Sequence, residues 1–344
     1  MKKEYKNFIG SFLFLSGAVI IFVCISYMMR PVDNRNDGMM MGFYGEKNHS
    51  LDVIALGSSS VYRFLNNPVL WEEYGITSYN LATGSMQSDV YEMLINESLK
   101  TQSPDIILIE TRPYIQINQN KKKEDIYFRK ASDYMKYSWD RIHYINEYTD
   151  DKEKRFQLYF DIVFYHGLWK EFGLGNIYRV DNEYVDRMKG WRSVFESVPM
   201  NVPKDYSYVS EQSIEAEKEK ELERLIEYCE RRGVEILFVA TPWEMNEERV
   251  AQNRYLERII TEKGYRFLNC NDHIDEIGLN YATDFYDEKH VNVFGAEKVT
   301  RFIGQYITEN YDMDLTHDKS TISEWDKVLD RYAQEEQESK AEKE

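Results

Sequence analysis

Hydrophobic positions along this chain follow two unlike patterns. Residues 8–29 form one uncharged run, apolar on every side of a helix, with Lys2, Lys3 and Lys6 ahead of it. About 20 residues cross a ~30 Å hydrocarbon core as a helix, so the 22 residues of this run predict a single membrane span. Beyond residue 50 the apolar runs are short: 51–56 (LDVIAL), 76–81 (ITSYNL), 105–110 (DIILIE), 234–240 (VEILFVA) and 265–269 (YRFLN). Short continuous apolar runs bounded by Gly or Pro read as buried strands. Helical stretches lie between or after them, through Trp71 and Tyr74 and over 88–100, 213–232, 247–263 and 292–309. Such alternation predicts an α/β domain whose parallel sheet carries helices on both faces.

The rhythm breaks in three places. Residues 31–50 are polar with a Met39-Met40-Met41 patch and read as a linker. Residues 114–205 are rich in Tyr, Trp, Lys and Asp, with helical segments such as 155–169, and read as an inserted helical cap. Residues 311–344 end in QEEQESKAEKE and read as a solvated tail. The organisation expected is a cytoplasmic stub and anchor over 1–30, the linker, an α/β domain over 51–310 containing the cap, and the tail. Lysines ahead of the span place the N-terminus in the cytoplasm and the rest outside. The run ends Tyr27-Met28-Met29-Arg30-Pro31, without the small residues of a signal-peptidase site, which favours an uncleaved anchor.

Composition narrows the function classes. A net charge of −17 repels phosphate backbones and argues against nucleic-acid binding. With 42% hydrophobic and 15% aromatic residues the chain can bury a real core. Of the three cysteines, Cys24 lies in the apolar run with no small residues before it, so it is not read as a lipoprotein cleavage site. Cys229 and Cys270 read either as a pair or as two buried thiols. No Cys/His cluster suggests a metal site, and no cofactor is expected.

In parallel α/β sheets chemistry gathers at the carboxyl ends of the strands. The first strand ends in Gly57-Ser58-Ser59-Ser60. A serine there either caps the next helix or projects above the sheet as a nucleophile beside backbone N–H groups. Past the fifth strand, Asp287 and His290 stand three apart; on a turn entering the last helix that spacing puts both on one face, so that a carboxylate can orient an imidazole that reaches a serine. A second Asp-x-x-His, Asp140 with His143, falls inside the cap and reads as a solvated helix pair. Within the cap, His166 and Trp169 read either as groove-lining or as packing residues. Trp243, after the fourth strand, is a candidate for the pocket mouth, and His273 reads as a loop residue.

On these residues the chain resembles the SGNH/GDSL hydrolase superfamily. Gly57-Ser58-Ser59 is similar to its first block, with Ser58 in place of the usual Asp. Gly84 is similar to the glycine of its second block, and Asp287-x-x-His290 to its fifth. The resemblance covers roughly 50–112 and 232–310. It implies a flavodoxin-like three-layer sandwich with about five parallel strands, with catalytic Ser59, Asp287 and His290. The oxyanion hole would be built by the Ser59 and Gly84 N–H groups with Gln87. The third-block Asn is missing: the chain reads Glu110-Thr111-Arg112-Pro113 there. Arg112 then either binds an anionic substrate or pairs with Glu110. With the anchor and the segment 80–87, the chain is similar to the membrane-tethered branch that acts on envelope polymers. That branch includes the D-alanyl-transfer protein DltD and the alginate O-acetylation proteins AlgJ and AlgX. It implies acyl transfer to or from a carbohydrate polymer, beside a membrane-bound O-acyltransferase. A non-catalytic glycan-binding or scaffolding role and a simple secreted esterase are the alternatives.

Overall fold

The computed structural model describes residues 2–30, 36–116, 121–173, 176 and 188–341. Parts of the expected linker (31–35), cap (117–120, 174–175, 177–187) and tail (342–344) lie outside the described residues. The chain opens with helix α1 (Lys2–Met28) and α2 (Asn36–Tyr44), then β1 (Val53–Gly57), α3 (Val61–Phe64), α4 (Asn67–Tyr74), β2 (Ser78–Ala82), α5 (Tyr91–Ser98) and β3 (Ile106–Glu110). The insertion brings α6 (Arg112–Ile115), α7 (Lys121–Ser132), α8 (Trp139–Tyr148), α9 (Lys152–Tyr159) and α10 (Asp161–Tyr165), the last running into a 3-10 turn over His166–Lys170. Then follow α11 (Ala216–Arg232), β4 (Ile236–Ala240), α12 (Glu247–Glu262), β5 (Arg266–Asn269), α13 (Ile274–Ile277), β6 (Phe285–Asp287), β7 (His290–Val291), α14 (Val293–Asn310) and α15 (Lys319–Ala341).

β1 to β5 form one all-parallel sheet in the order β2-β1-β3-β4-β5. β1, β3 and β4 are apolar but for Glu110 because both their faces are covered, whereas β2 carries Ser78 and Asn80 and β5 carries Arg266 and Asn269. Ile54, Leu56, Ile107 and Ile109 enter one core with Tyr91, Leu94 and Leu222, whereas Val53, Ala55, Ile106 and Leu108 enter another with Val299 and Ile303. The chain leaves β1 on one side to form β2 and places β3 on the other. A crevice opens at such a reversal, at the carboxyl ends of the strands.

Four expectations change. The linker contains α2, whose Met39, Met40 and Phe43 are buried; the Tyr79 hydroxyl donates to the Met39 carbonyl at 2.6 Å. The cap is helical only as far as Lys170 among its longer elements. From 188 to 200 the chain is a strap that donates from Arg192 N to Tyr62 O (3.0 Å) and accepts at Lys189 O from Asn80 N (2.9 Å). The tail carries the 23-residue helix α15, docked along one face as far as Tyr332, and only its end over 333–341 is without a buried residue. Trp325, Val328 and Tyr332 recur at helical spacing and are buried, Trp325 lying 5.7 Å from the Trp71 ring. Finally, Asp287 and His290 sit on a short antiparallel hairpin, β6–β7, before the last helix. Among the described residues, α1 is the one helix long and apolar enough to cross a membrane.

Candidate active site

The site begins where β1 meets β3. A Cβ on Gly57 would overlap Val61 and stand 2.6 Å from the Cβ and 2.7 Å from Oε2 of Glu110, so only glycine admits this approach. It lets Glu110 Oε2 accept the Ser58 N–H at 2.6 Å. The turn then delivers Ser59 ahead of α3. Ser60 takes the N-cap position of α3 and makes no side-chain cap bond, while Ser58 Oγ accepts the Ser60 N–H at 3.4 Å, which leaves the Ser59 hydroxyl free of capping.

Ser59 Oγ lies 2.7 Å from His290 Nε2, and His290 Nδ1 lies 2.8 and 2.9 Å from the two Asp287 oxygens. An ionised carboxylate only accepts, so Nδ1 carries the imidazole proton and Nε2 is left to accept from the Ser59 hydroxyl. Residues 231 apart in sequence are joined here. The hairpin that makes this possible is held at its base by Asn292. Its Oδ1 accepts the Phe294 and Gly295 N–H groups (3.1 and 3.2 Å), and its Nδ2 donates to Thr283 O and Ser197 Oγ (2.7 and 2.9 Å). Burial works to raise the Asp287 carboxyl. The hydrogen bond and charge of His290 and backbone N–H bonds from Lys289 and His290 outweigh it and hold the group below its usual value.

Beneath the triad lies a buried ion pair. Arg112 Nε stands 3.5 Å from Glu110 Oε1, with the side chains 4% and 0% exposed. Nη1 and Nη2 of Arg112 each donate to Lys289 O at 3.1 Å, Nη2 also donates to Thr241 Oγ1 at 2.8 Å, and the guanidinium lies 4.5 Å from the Trp243 ring. Burial pushes Arg112 down to about 10, against the pull of Glu110 and Asp287. One pair thus grips both halves of the machinery: Glu110 the serine turn, Arg112 the carbonyl next to His290.

Ser58, Ser59 and His290 open into a cleft of about 360 Å³ that is also lined by Ser85, Met86, Gln87, Arg112, Pro113, Gln116, Tyr127 and Lys289. The cap supplies Tyr127 from α7, and the neighbouring Lys130 Nζ donates to Gly84 O at 2.9 Å. Among the described residues, no hydrogen-bond partner takes the Ser59 or Gly84 N–H, as an oxyanion hole requires. A Cβ on Gly84 would make only ordinary contacts, the nearest at 3.5 Å, so space alone does not demand glycine. Ser85, which follows, holds φ at 61° and turns the loop; a non-glycine residue takes that conformation at a cost.

Other expected site residues lie elsewhere. Gln87 lines the cleft but folds back, its Nε2 donating to Ser85 O (2.9 Å) and Met86 O (3.4 Å), so its donors brace the loop instead of facing an oxyanion. Trp243 is buried between Arg112 and Arg249 and does not form the mouth. His166 is exposed on the cap with Nδ1 2.9 Å from Val163 O, away from the cleft lining. Asp140 pairs with Lys100 and His143 with Glu147, not with each other. His273 Nδ1 lies 2.8 Å from Glu276 Oε2. Cys229 and Cys270 are buried free thiols. Sequence reasoning missed Tyr127, Lys130 and Ser85 as parts of the cleft. Nothing in the cap's composition points to the first two, and the third follows only from its position beside Gly84.

Compared with known proteins, the chain matches no protein-family model and shows no significant similarity to a curated sequence.

Proposed function

We propose that this chain is a membrane-anchored serine enzyme of SGNH type that moves acyl groups, as an O-acetyltransferase or deacetylase, on a cell-envelope or extracellular polysaccharide. The observation that carries the reading is the continuous hydrogen-bonded array Ser59–His290–Asp287 at the mouth of a cleft on the strand ends. The strand order 2-1-3-4-5 and the two cores on opposite faces support a flavodoxin-like three-layer sandwich. The lysines before α1 support a cytoplasmic N-terminus and an extracytoplasmic cleft. A membrane-bound O-acyltransferase supplying the acyl group is the partner that this placement suits.

In the proposed chemistry His290 Nε2 takes the Ser59 proton as Oγ attacks the acyl carbonyl. Asp287 stabilises the resulting imidazolium, and the Ser59 and Gly84 N–H groups receive the oxyanion. Collapse expels the alcohol, which takes the proton from His290, and leaves an ester on Ser59. An acceptor, water or a sugar hydroxyl, then gives its proton to His290 as it attacks the acyl carbon; the bond to Ser59 Oγ breaks, and His290 returns the proton to Oγ. The ring of Tyr127, which the cap lends to the cleft, suits a sugar ring as acceptor.

The test is labelling of the full chain in detergent by a fluorophosphonate. It is expected to mark the wild type and to be lost in Ser59→Ala and in His290→Ala. A folded wild type that stays unlabelled favours the scaffolding alternative. With an acetyl donor and oligosaccharide present together, turnover to acetate alone removes the transferase half of the proposal.

A further inference from the structure

The exit end of α1 is built into the cap. Ser26 and Arg30 are fully buried there. Ser26 Oγ accepts the Ile162 N–H at 3.0 Å and the Tyr137 hydroxyl at 3.4 Å. Arg30 Nε donates to Asp161 Oδ2 at 2.8 Å, both side chains being wholly buried. Asn176 Nδ2 donates to the Met28 and Arg30 carbonyls at 2.9 and 3.1 Å. Phe22 meets Phe160 edge to face at 5.1 Å, and Phe160 meets Phe156 at the same distance. The helix is thus clamped to the cap and does not hang from a free linker.

Depth follows from helix geometry. If the hydrocarbon begins at Phe8, about 20 residues bring its far edge near Met28. Phe22 lies six residues before that, about 9 Å along the axis at ~1.5 Å per residue. A cap ring that packs on Phe22 therefore lies below the lipid surface. The same stretch of cap turns Phe156, Phe164, Trp169 and Phe172 outward, Trp169 being 65% exposed. Charge is sparse there: from 161 to 172 the charged residues are Asp161, buried against Arg30, and the rim pair Lys170 and Glu171. Exposed aromatics with few charges among them are the make-up of a segment lying in the bilayer interface.

We propose that residues 156–172 are seated in the outer leaflet beside α1, and that the cleft is thereby held at a fixed height over the lipid. The inference rests on the reading of α1 as a membrane span. Lipid is the occupant because the exposed Phe156 ring is joined to the surface of α1 through Phe160 and Phe22. The clamp also reaches the cleft. Asp161 pairs with Arg141 (3.2 Å), Arg141 with Asp133 (3.5 Å) and Asp133 with Arg129 (3.1 Å) on α7, the helix that carries Tyr127. A site so mounted serves acyl donors or acceptors presented at the membrane surface.

The test uses the full chain in nanodiscs of phosphatidylcholine and phosphatidylglycerol. Residues 1–70 contain no Trp, and Trp71, Trp191, Trp243 and Trp325 are at least partly buried, so a Trp139→Phe background leaves Trp169 as the exposed emitter. Lipid brominated near the top of the acyl chains is expected to quench that emission, and adding Trp169→Phe is expected to remove the quenched part. In the same discs a nitroxide on Cys24, the one exposed thiol of the three, reports α1 itself. Lipid-exposed Cys24 without Trp169 quenching overturns the seating and spares the anchor. Water-exposed Cys24 overturns the anchor and, with it, the seating.

Discussion

Replacing Arg112 by Met removes the cation that faces Glu110 and leaves a carboxylate that is 0% exposed. Breaking a buried ion pair from one side costs about 3–5 kcal/mol, because the remaining charge is uncompensated. Glu110 keeps the Ser58 N–H, which offsets part of that cost but not the loss of a full countercharge. The double variant Glu110→Gln/Arg112→Met has no stranded charge and is expected to recover at least about 2 kcal/mol of the loss, the scale of coupling between groups in one network. Activity follows a different course. Arg112 makes two charge-assisted bonds to Lys289 O, next to His290, and bonds to charged groups are worth about 1.5–3 kcal/mol. If that energy is what holds the hairpin in register, both variants slow fluorophosphonate labelling by roughly 10–100-fold at about 1.4 kcal/mol per factor of ten. The assays are urea midpoints in detergent and single-turnover labelling rates. Recovery of stability without recovery of rate is the expected pattern. Equal stability of the single and double variants would refute the stranded-charge argument, and wild-type labelling by Arg112→Met would refute the clamp.

Asp287→Asn keeps the shape of the hairpin but withdraws the charge that orients His290, and is expected to slow labelling by about 10²–10⁴-fold. Because the folded Asp287 carboxyl lies below its ordinary value of 3.8, its contribution to stability is present above that pH and lost as pH falls through the folded value. Urea midpoints of wild type and Asp287→Asn should therefore converge in acid; a gap that widens there would contradict the sign. Trp325→Ala empties a fully buried site beside Trp71 and is expected to cost about 3–5 kcal/mol by urea midpoint; a cost below about 1 kcal/mol would mean that α15 is not docked.

Local pattern alone determined a good deal. The uncharged run before Arg30, the five apolar strand runs and the placing of Gly57-Ser58-Ser59 and Asp287-x-x-His290 were all legible, since each rests on the period or chemistry of neighbouring residues. What failed was judged from composition where spacing mattered. The tail was read from its charged end, although Trp325, Val328 and Tyr332 already marked an apolar stripe, and the linker from its polarity, although Met39, Met40 and Phe43 were there to be buried.

The remainder belongs to tertiary structure. That Ser59 meets His290, that Glu110 and Arg112 pair to brace the two sides of the site, and that Asp161 closes on Arg30 are matters of distance between residues remote in sequence. No local period encodes such meetings. The first two follow from the order in which the sheet is assembled, which brings the ends of β1 and β3 and the β6–β7 hairpin to one crevice; the third follows from the docking of α1 on the cap. Burial makes an unpaired charge too costly to keep, so Glu110 is paired with Arg112 and Asp161 with Arg30.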